Sequence, residues 1–313
     1  MAERYETRKT RSGHRYIVRR AGSRPLLLIS ALGVPLSVWS RFLSDPGHDF
    51  RIVVVENRCG DLFDGGMRST ERLDAHADDI AEVLEDPELR EPLDVVSWCN
   101  GGRIGAQLGA KHPGHVKSMV FVSTTWRGIA NVPAAPCAFE DSLEQIFVAI
   151  RKNPKLAVTL AGMVRKFVKA PDWDSLANDD VARARELCRM PAIENSTALL
   201  APMQTPDRLI NYSLRTAADE AFPIAGALGS LASAGIPVLL ITGEHDNVIS
   251  NSLALDALRA SCGRVTHACV SGAGHYVHDL QYRYFRWLLE SFLATGSNFR
   301  ACARVQTDLR HAT

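Results

Sequence analysis

Three side chains in this sequence could together carry a nucleophilic reaction. Cys99 lies in the octapeptide Val-Val-Ser-Trp-Cys-Asn-Gly-Gly, and Asp246 and His275 follow it in that order. A thiol attacks a carbonyl carbon once a base has taken its proton, and a carboxylate can hold that base in the required orientation. In such a set Cys99 would be the nucleophile, His275 the general base and then acid, and Asp246 the residue that orients His275.

The residues around Cys99 predict the sharp turn that such a nucleophile needs. An apolar run, Leu93 to Val96, precedes the turn, and several glycines follow it, which is typical of a helix packed closely on a sheet. Small residues two positions before and two after the apex let the chain cross itself, and here they are Ser97 and Gly101. The pattern is a G-x-S-x-G elbow in which Ser replaces the first Gly and Cys replaces the nucleophile.

This elbow resembles that of the α/β-hydrolase family, and two later segments resemble the family's acid and histidine loops. The acid loop is Gly243-Glu244-His245-Asp246-Asn247, after the apolar run Pro237–Thr242. The histidine loop is Gly272-Ala273-Gly274-His275, after the run Arg264–Val270. Nucleophile, acid and histidine follow one another in this order in the family. Glu244 stays open as the alternative acid.

A second acid position known in the family, directly after the run Val116–Val122, offers only Ser123, Thr124 and Thr125. The absence of a carboxylate there favours Asp246. Other histidines are expected to be structural or solvated, namely His112, His115, His245 and His278.

The resemblance also implies an oxyanion hole. In the family the loop after the first buried parallel strand usually begins with His-Gly and supplies a backbone N–H, whereas this chain has Ser30-Ala31 there. The backbone N–H groups of Leu32 and Asn100 are the donors that the resemblance implies. We assign Trp98 to substrate binding, with simple core packing as the alternative.

Apolar runs and helical periodicities alternate at both ends of the chain and predict a mostly parallel sheet with helices on both faces, the α/β-hydrolase fold. Between them the alternation stops, and amphipathic stretches such as Phe139–Ile150 and Leu156–Val168 predict an inserted helical lid. The predicted divisions are a core over residues 1–125 and 233–293, a lid over 126–232, and a polar C-terminal tail over 294–313.

Composition excludes several classes of partner. The 313 residues are 46% hydrophobic with a formal net charge of +1, which gives no reason to expect nucleic acid. No apolar run approaches the roughly 18 residues of a membrane helix, and the basic N-terminus lacks the apolar segment of a secretory signal. The seven cysteines show no paired metal-ligand spacing. We expect free thiols in a reducing cytoplasm, with neither a metal nor a cofactor.

A thiol at the elbow favours thioester chemistry. In the tetrahedral adduct with an ester, the thiolate leaves more readily than the alkoxide, so the ester mostly returns unchanged. In the adduct with a thioester, two sulfurs compete on equal terms. We predict an acyltransferase that moves an acyl group from a carrier-protein or coenzyme A thioester, through acyl-Cys99, to a small-molecule or peptide acceptor. The chain is also similar to stand-alone acyltransferases and thioesterases of natural-product pathways, which implies a role in antibiotic biosynthesis.

Two other functions stay open: a thioesterase or hydrolase that uses water as acceptor, and a non-catalytic ligand-binding member of the fold. Residues 151–170 contain six cations and no Asp or Glu. Such a surface would suit an acidic carrier protein or the phosphates of coenzyme A, and a solvated helix face is the alternative. The six cations are Arg151, Lys152, Lys155, Arg165, Lys166 and Lys169.

Overall fold

The computed structural model describes residues 5–45, 47, 49–55, 73–86, 89, 91–166, 198–296 and 299. Within these residues one sheet carries helices on both faces. Its strands are β1 (Tyr5–Lys9), β2 (Arg15–Arg19), β3 (Arg24–Ile29), β4 (Phe50–Val55), β5 (Leu93–Trp98), β6 (Val116–Val122), β7 (Val238–Gly243) and β8 (Thr266–Val270). The α-helices are α1 (Ser40–Ser44), α2 (Leu73–Leu84), α3 (Gly101–Lys111), α4 (Ala138–Lys152), α5 (Leu156–Val164), α6 (Pro206–Ala221), α7 (Ile224–Ser233), α8 (Asn251–Cys262), α9 (Val277–Leu280) and α10 (Tyr282–Thr295). Short 3-10 helices span Leu36–Trp39, Pro113–His115 and Ala198–Met203.

The sheet has the strand order β1-β2-β4-β3-β5-β6-β7-β8. The pairs β1–β2 and β2–β4 are antiparallel, and every pair from β4 through β3 to β8 is parallel. This topology confirms the predicted α/β-hydrolase fold. Because parallel strands end at the same edge of a sheet, the loops that follow β3, β5, β7 and β8 gather there. These are the four loops to which the sequence assigned chemistry.

Two apolar layers enclose the sheet, one on each face. The inner strands are buried along nearly their whole length, which explains their continuous runs of Val, Leu and Ile. One layer buries side chains of α2, α3, α7 and α8, and the other buries those of α1, α9 and α10. The catalytic edge is therefore supported from both faces by close-packed side chains.

Helix α7 lies within the predicted lid but packs on the core. Residues 224–232 were assigned to the lid, but α7 packs on α3 and α8 and so belongs to the core. Gly109 on α3 lets α3 and α7 lie close together, because a Cβ at that position would overlap the Leu231 side chain of α7. Helix α7 belongs to the connection between β6 and β7 and covers the sheet there. Its apolar run is compatible with either a core helix or a lid helix, so the sequence did not separate the two.

The C-terminal end of the core is helical, and some of the sequence expectations fall outside the described residues. The core closes with two helices, α9 and α10, which meet at Gln281. Lys169, the distal part of the helix predicted over 156–168, and most of the predicted tail lie outside the described residues. Of the helices that the structure does describe, none has both the length and the apolar character to cross a bilayer.

The start of α3 gives a test of how tightly the elbow is packed. A Cβ on Gly101 would overlap the Ser30 backbone carbonyl, so Gly101→Ala should force β3 and α3 apart. We expect the free energy of unfolding to fall by about 1–3 kcal/mol. Urea unfolding followed by circular dichroism measures this loss. Gly114→Ala is the matched control because a Cβ there meets nothing within 4 Å; equal losses in the two variants would contradict the packing argument.

Candidate active site

Cys99 occupies the apex of the turn between β5 and α3. Its φ is 54°, in the left-handed region that non-glycine residues rarely adopt. Hydrogen bonds hold the turn on both sides: the Cys99 N–H donates to the Val122 carbonyl at 3.0 Å, and the Gly102 N–H donates to the Cys99 carbonyl at 3.1 Å. The strained backbone presents the side chain to a cavity at the sheet edge.

The loops after β7 and β8 bring Asp246 and His275 together. His275 Nδ1 lies 3.0 Å from Asp246 Oδ2 and 3.2 Å from Oδ1. The backbone N–H groups of Val248 and Ile249 donate to Asp246 Oδ1 at 2.9 and 3.1 Å, which fixes the carboxylate. Since Asp246 engages Nδ1, Nε2 is the nitrogen that remains to exchange a proton with Cys99.

The alternative acid points elsewhere. Glu244 Oε2 accepts hydrogen bonds from the Ser271 hydroxyl at 2.7 Å and from the Gly272 N–H at 3.0 Å. The neighbouring His245 side chain is 71% exposed. Glu244 thus braces the turn before the histidine loop, and of the two carboxylates only Asp246 contacts His275.

Electrostatics favour a charged imidazole at this place. Burial alone would lower the pKa of His275, but its interactions with Cys99 and with the Asp246 carboxylate raise it to about 10. Burial alone would raise the pKa of Asp246, but the hydrogen bond and charge of His275 and two backbone N–H groups hold it below its usual value. The arrangement therefore favours the protonated, imidazolium form of His275 between the Asp246 carboxylate and the Cys99 sulfur.

Trp98 does not lie where it was expected to bind substrate. Its side chain is fully buried, and its Nε1–H donates to the His275 carbonyl at 3.2 Å. Its ring lies 5.2 Å from the His275 ring and 5.1 Å from the ring of His278. Strand alternation explains the difference, because a residue next to the apex turns its side chain to the opposite side of the strand. Trp98 supports the histidine loop from behind.

His278 is structural, as expected from the sequence. It is fully buried, and burial together with the charge of His275 lowers its pKa to about 3. A neutral ring in this position packs between Trp98 and Trp39 without adding a second positive charge behind His275.

The two predicted oxyanion donors differ in their present partners. The Asn100 N–H lies at the start of α3, where backbone N–H groups lack intrahelical acceptors. The Leu32 N–H donates to the side-chain Oδ1 of Asn100 at 2.8 Å, and Asn100 Nδ2 donates to the Tyr212 hydroxyl at 3.2 Å. Sequence reasoning missed the role of the Asn100 side chain because Tyr212 lies 112 positions later in the chain.

A cavity opens above Cys99, between the sheet edge and the helices inserted after β6. It encloses about 820 Å³, including the part open to solvent. The lid helices contribute most of its apolar wall, through Phe139, Leu143, Phe147, Leu199, Leu200 and Met203.

Buried charges at the inner end of the cavity fasten the lid to the core, and the sequence analysis did not identify them. Arg103, one turn after Cys99 on α3, donates to the Arg127 carbonyl at 2.9 Å and to the Asp219 carbonyl. Asp219 in turn pairs with Arg215 at 3.0 Å. Burial raises the pKa of Asp219 and lowers that of Arg103, so each group depends on its partners to stay charged.

The basic stretch is less uniform than the sequence suggested. Arg151 turns inward, where it donates to the Ser213 carbonyl at 2.8 Å and pairs with Glu144 from the preceding turns of α4. It therefore does not belong to a free basic surface, since an acid from outside the 151–170 segment neutralises it. The remaining described cations are exposed, namely Lys152, Lys155, Arg165 and Lys166.

Comparisons with known proteins agree with this architecture. A protein assigned as carbamate hydrolase RutD from Rhizobium rhizogenes is 26% identical over 104 residues, which is 33% of this chain and 39% of that protein. The chain thus matches well under half the length of that curated relative. A bacterial membrane phospholipase A has a similar structure, with a TM-score of 0.68 and 18% identity over 95% of this chain and 87% of that one. A carboxylesterase of Nitrososphaera gargenis has a TM-score of 0.63 and 17% identity over 92% of this chain and 98% of that one.

The family model for the alpha/beta hydrolase fold matches residues 24–282. That range includes the elbow, the acid loop, the histidine loop and the lid helices that enclose the cavity. The strand order, the strained turn at Cys99 and this match lead to one conclusion: the chain belongs to the α/β-hydrolase fold family.

Proposed function

We propose that this protein transfers acyl groups from a thioester donor through an acyl-Cys99 intermediate. The observation that carries the proposal is a thiol, rather than a hydroxyl, at the elbow, with the buried His275–Asp246 pair beside it. The acceptor is a small molecule or a peptide. A place in natural-product biosynthesis rests on the resemblance of the sequence alone and stays a prediction.

In the first half-reaction the Cys99 thiolate attacks the thioester carbonyl and forms a carbon–sulfur bond. The resulting oxyanion is stabilised by backbone N–H groups, those of Asn100 and Leu32. When the adduct collapses, the bond to the donor sulfur breaks, and the leaving thiolate takes the proton from the His275 imidazolium. This leaves a neutral imidazole and an acyl-Cys99 thioester.

In the second half-reaction neutral His275 accepts a proton from the acceptor as the acceptor attacks acyl-Cys99. The oxyanion forms in the same place, and Cys99 leaves as thiolate while His275 is again imidazolium. Protons balance over the cycle, and Asp246 holds the imidazole in one orientation throughout. The thiol matters because acyl-Cys99 is itself a thioester and remains reactive toward amines, thiols and alcohols.

Hydrolysis of the same intermediate is the second candidate function. It is favoured by the structural relatives, which include a phospholipase and a carboxylesterase. The two functions share acyl-Cys99 and differ only in whether water or another acceptor attacks it. Apolar lid residues over the cavity support transfer, because they limit the access of water to the acylated thiol.

The exposed cations of the lid support the further proposal that the lid holds the acyl donor through the donor's negative charge. Lys152 is the last residue of α4, Lys155 directly precedes α5, and Arg165 and Lys166 follow α5. None of the four makes an ion pair with another described residue, so their field reaches solvent. An acidic carrier protein, or the phosphates of coenzyme A, would complement it.

Substitution of Cys99 tests the central step. Cys99→Ala should fold like the wild type but take up no acyl group from a thioester, and turnover should fall roughly 10⁴-fold or more. Cys99→Ser should lose most transfer and gain relative hydrolysis. Intact-protein mass spectrometry after mixing with acyl thioesters measures uptake. Wild-type turnover in Cys99→Ala would exclude the proposal, and a wild-type protein that is never acylated would favour a non-catalytic ligand-binding role.

Asp246→Asn tests the orientation of the base. The carboxamide keeps the size of the side chain. Its oxygen would stay with the Val248 and Ile249 N–H groups, so its NH2 group would face Nδ1 of His275. Because NH2 and Nδ1–H are both donors, His275 should turn or change tautomer. We expect acylation to slow by several powers of ten, up to roughly 10⁴-fold. Glu244→Gln is the control, since Glu244 contacts the Ser271–Gly272 turn instead. The acid assignment is wrong if stopped-flow kinetics show the larger loss in the glutamine variant.

Charge reversal tests the donor-docking proposal. The double variant Lys155→Glu and Lys166→Glu should raise the apparent KM for a carrier-bound acyl donor and leave a short acyl-thiol mimic almost unaffected. The effect should shrink with salt, because the Debye length falls from about 10 Å at 0.1 M to about 3 Å at 1 M. Measuring kcat/KM for both donors across a salt series checks this. Equal losses for both donors would assign these charges to a solvated helix face.

A further inference from the structure

One of the two proposed oxyanion donors is occupied in this structure. The Leu32 N–H carries a single hydrogen, and Asn100 Oδ1 accepts it at 2.8 Å. An oxyanion on a carbonyl attacked by Cys99 needs the same hydrogen. The loop that carries Leu32 is held in place, because the Ser30 carbonyl already lies against Gly101 at the start of α3. The Asn100 side chain must therefore leave before Leu32 can take part.

The orientation of the Asn100 carboxamide follows from its partners. Only its oxygen can accept from the Leu32 N–H, so its nitrogen faces the Tyr212 hydroxyl, 3.2 Å away. Tyr212 belongs to lid helix α6 and is buried, with its ring edge-on to Phe147 of α4 at 5.5 Å. Two lid helices thus hold the hydroxyl that holds Asn100.

We propose that Asn100 and Tyr212 form a latch, in which the Asn100 carboxamide stands in for the oxyanion at Leu32 and the lid keeps it there until substrate arrives. The proposal rests on the proposed function for its catalytic consequence. A carboxamide oxygen is neutral and a weaker acceptor than an oxyanion, so developing charge can displace it.

Substrate binding would also release the second bond of the latch. Asn100 and Tyr212 both line the cavity above Cys99, so an acyl group placed there contacts the two residues together. Separation of Tyr212 from Asn100 then lets the carboxamide turn away from Leu32. The latch delays formation of the complete oxyanion hole until the cavity is filled, and Asn100 and Tyr212 act as positioning residues.

The test compares wild type with Asn100→Ala, Tyr212→Phe and the double variant. Single-turnover acylation by an N-acetylcysteamine thioester should be roughly three- to tenfold faster in each single variant, the size of one competing hydrogen bond. The double variant should be no faster than Asn100→Ala, because Tyr212 acts through Asn100. Alkylation of Cys99 by iodoacetamide forms no oxyanion and should keep its wild-type rate. Tyr282→Phe, which removes a half-buried hydroxyl bonded to Asp45, is the control.

Three kinetic results would overturn the latch. Slower acylation in Asn100→Ala would mean that the side-chain carboxamide of Asn100 itself stabilises the oxyanion. A full effect of Tyr212→Phe in the Asn100→Ala background would separate the two residues. Equal acceleration of acylation and alkylation would mean that the variants only widen the cavity.

Hydrogen exchange separates failure of the latch from failure of the proposed function. The Leu32 amide should exchange faster in Tyr212→Phe and in Asn100→Ala than in wild type, whatever the reaction. If no protein is acylated but this exchange accelerates, the proposed function is wrong and the latch stands. Unchanged exchange at Leu32 in both variants would show that the latch is wrong.

Discussion

The site depends on one steric constraint, the crossing of the elbow with the loop after β3. Gly101 lets the start of α3 lie directly against the Ser30 carbonyl, and Cys99 takes up the resulting bend with a φ of 54°. This contact sets the distance between the Cys99 thiol, which follows β5, and the Leu32 N–H, which follows β3. A strained cysteine persists here because β5, α3 and the neighbouring loop together leave its backbone no alternative.

Burial gives the charges around this turn their strength. His275 is 3% exposed and lies between the Cys99 side chain and a carboxylate fixed by two backbone N–H groups, and its raised pKa follows from its interactions with both. Trp98 and His278 close the rear of the loop with neutral rings. At the other end of the cavity, Arg103 ties the lid to α3 through backbone carbonyls. His275, Asp246 and Arg103 each have hydrogen-bonding partners, as the burial of charged groups requires.

Membership of the α/β-hydrolase fold family defines the scaffold, and the chemistry depends on side chains placed upon it. One fold supports many reactions, so structural similarity at 17–18% identity to a phospholipase and a carboxylesterase describes the arrangement of the chain alone. In this chain the side chain at the apex is a thiol, and the side chain of the next residue, Asn100, connects the loop that carries Leu32 to the lid.

The sequence alone determined the fold and the order of the acid and histidine loops. Apolar strand runs, helical periodicities and small residues around Cys99 are local signals, and each can be recognised within its own segment. Tertiary structure alone decided which contacts form between segments far apart in the chain. The direction of Trp98, the inward turn of Arg151, and the bonds that join Leu32, Asn100 and Tyr212 depend on packing of helices against the sheet edge. No periodicity within a segment records these contacts, because their partners lie on separate elements.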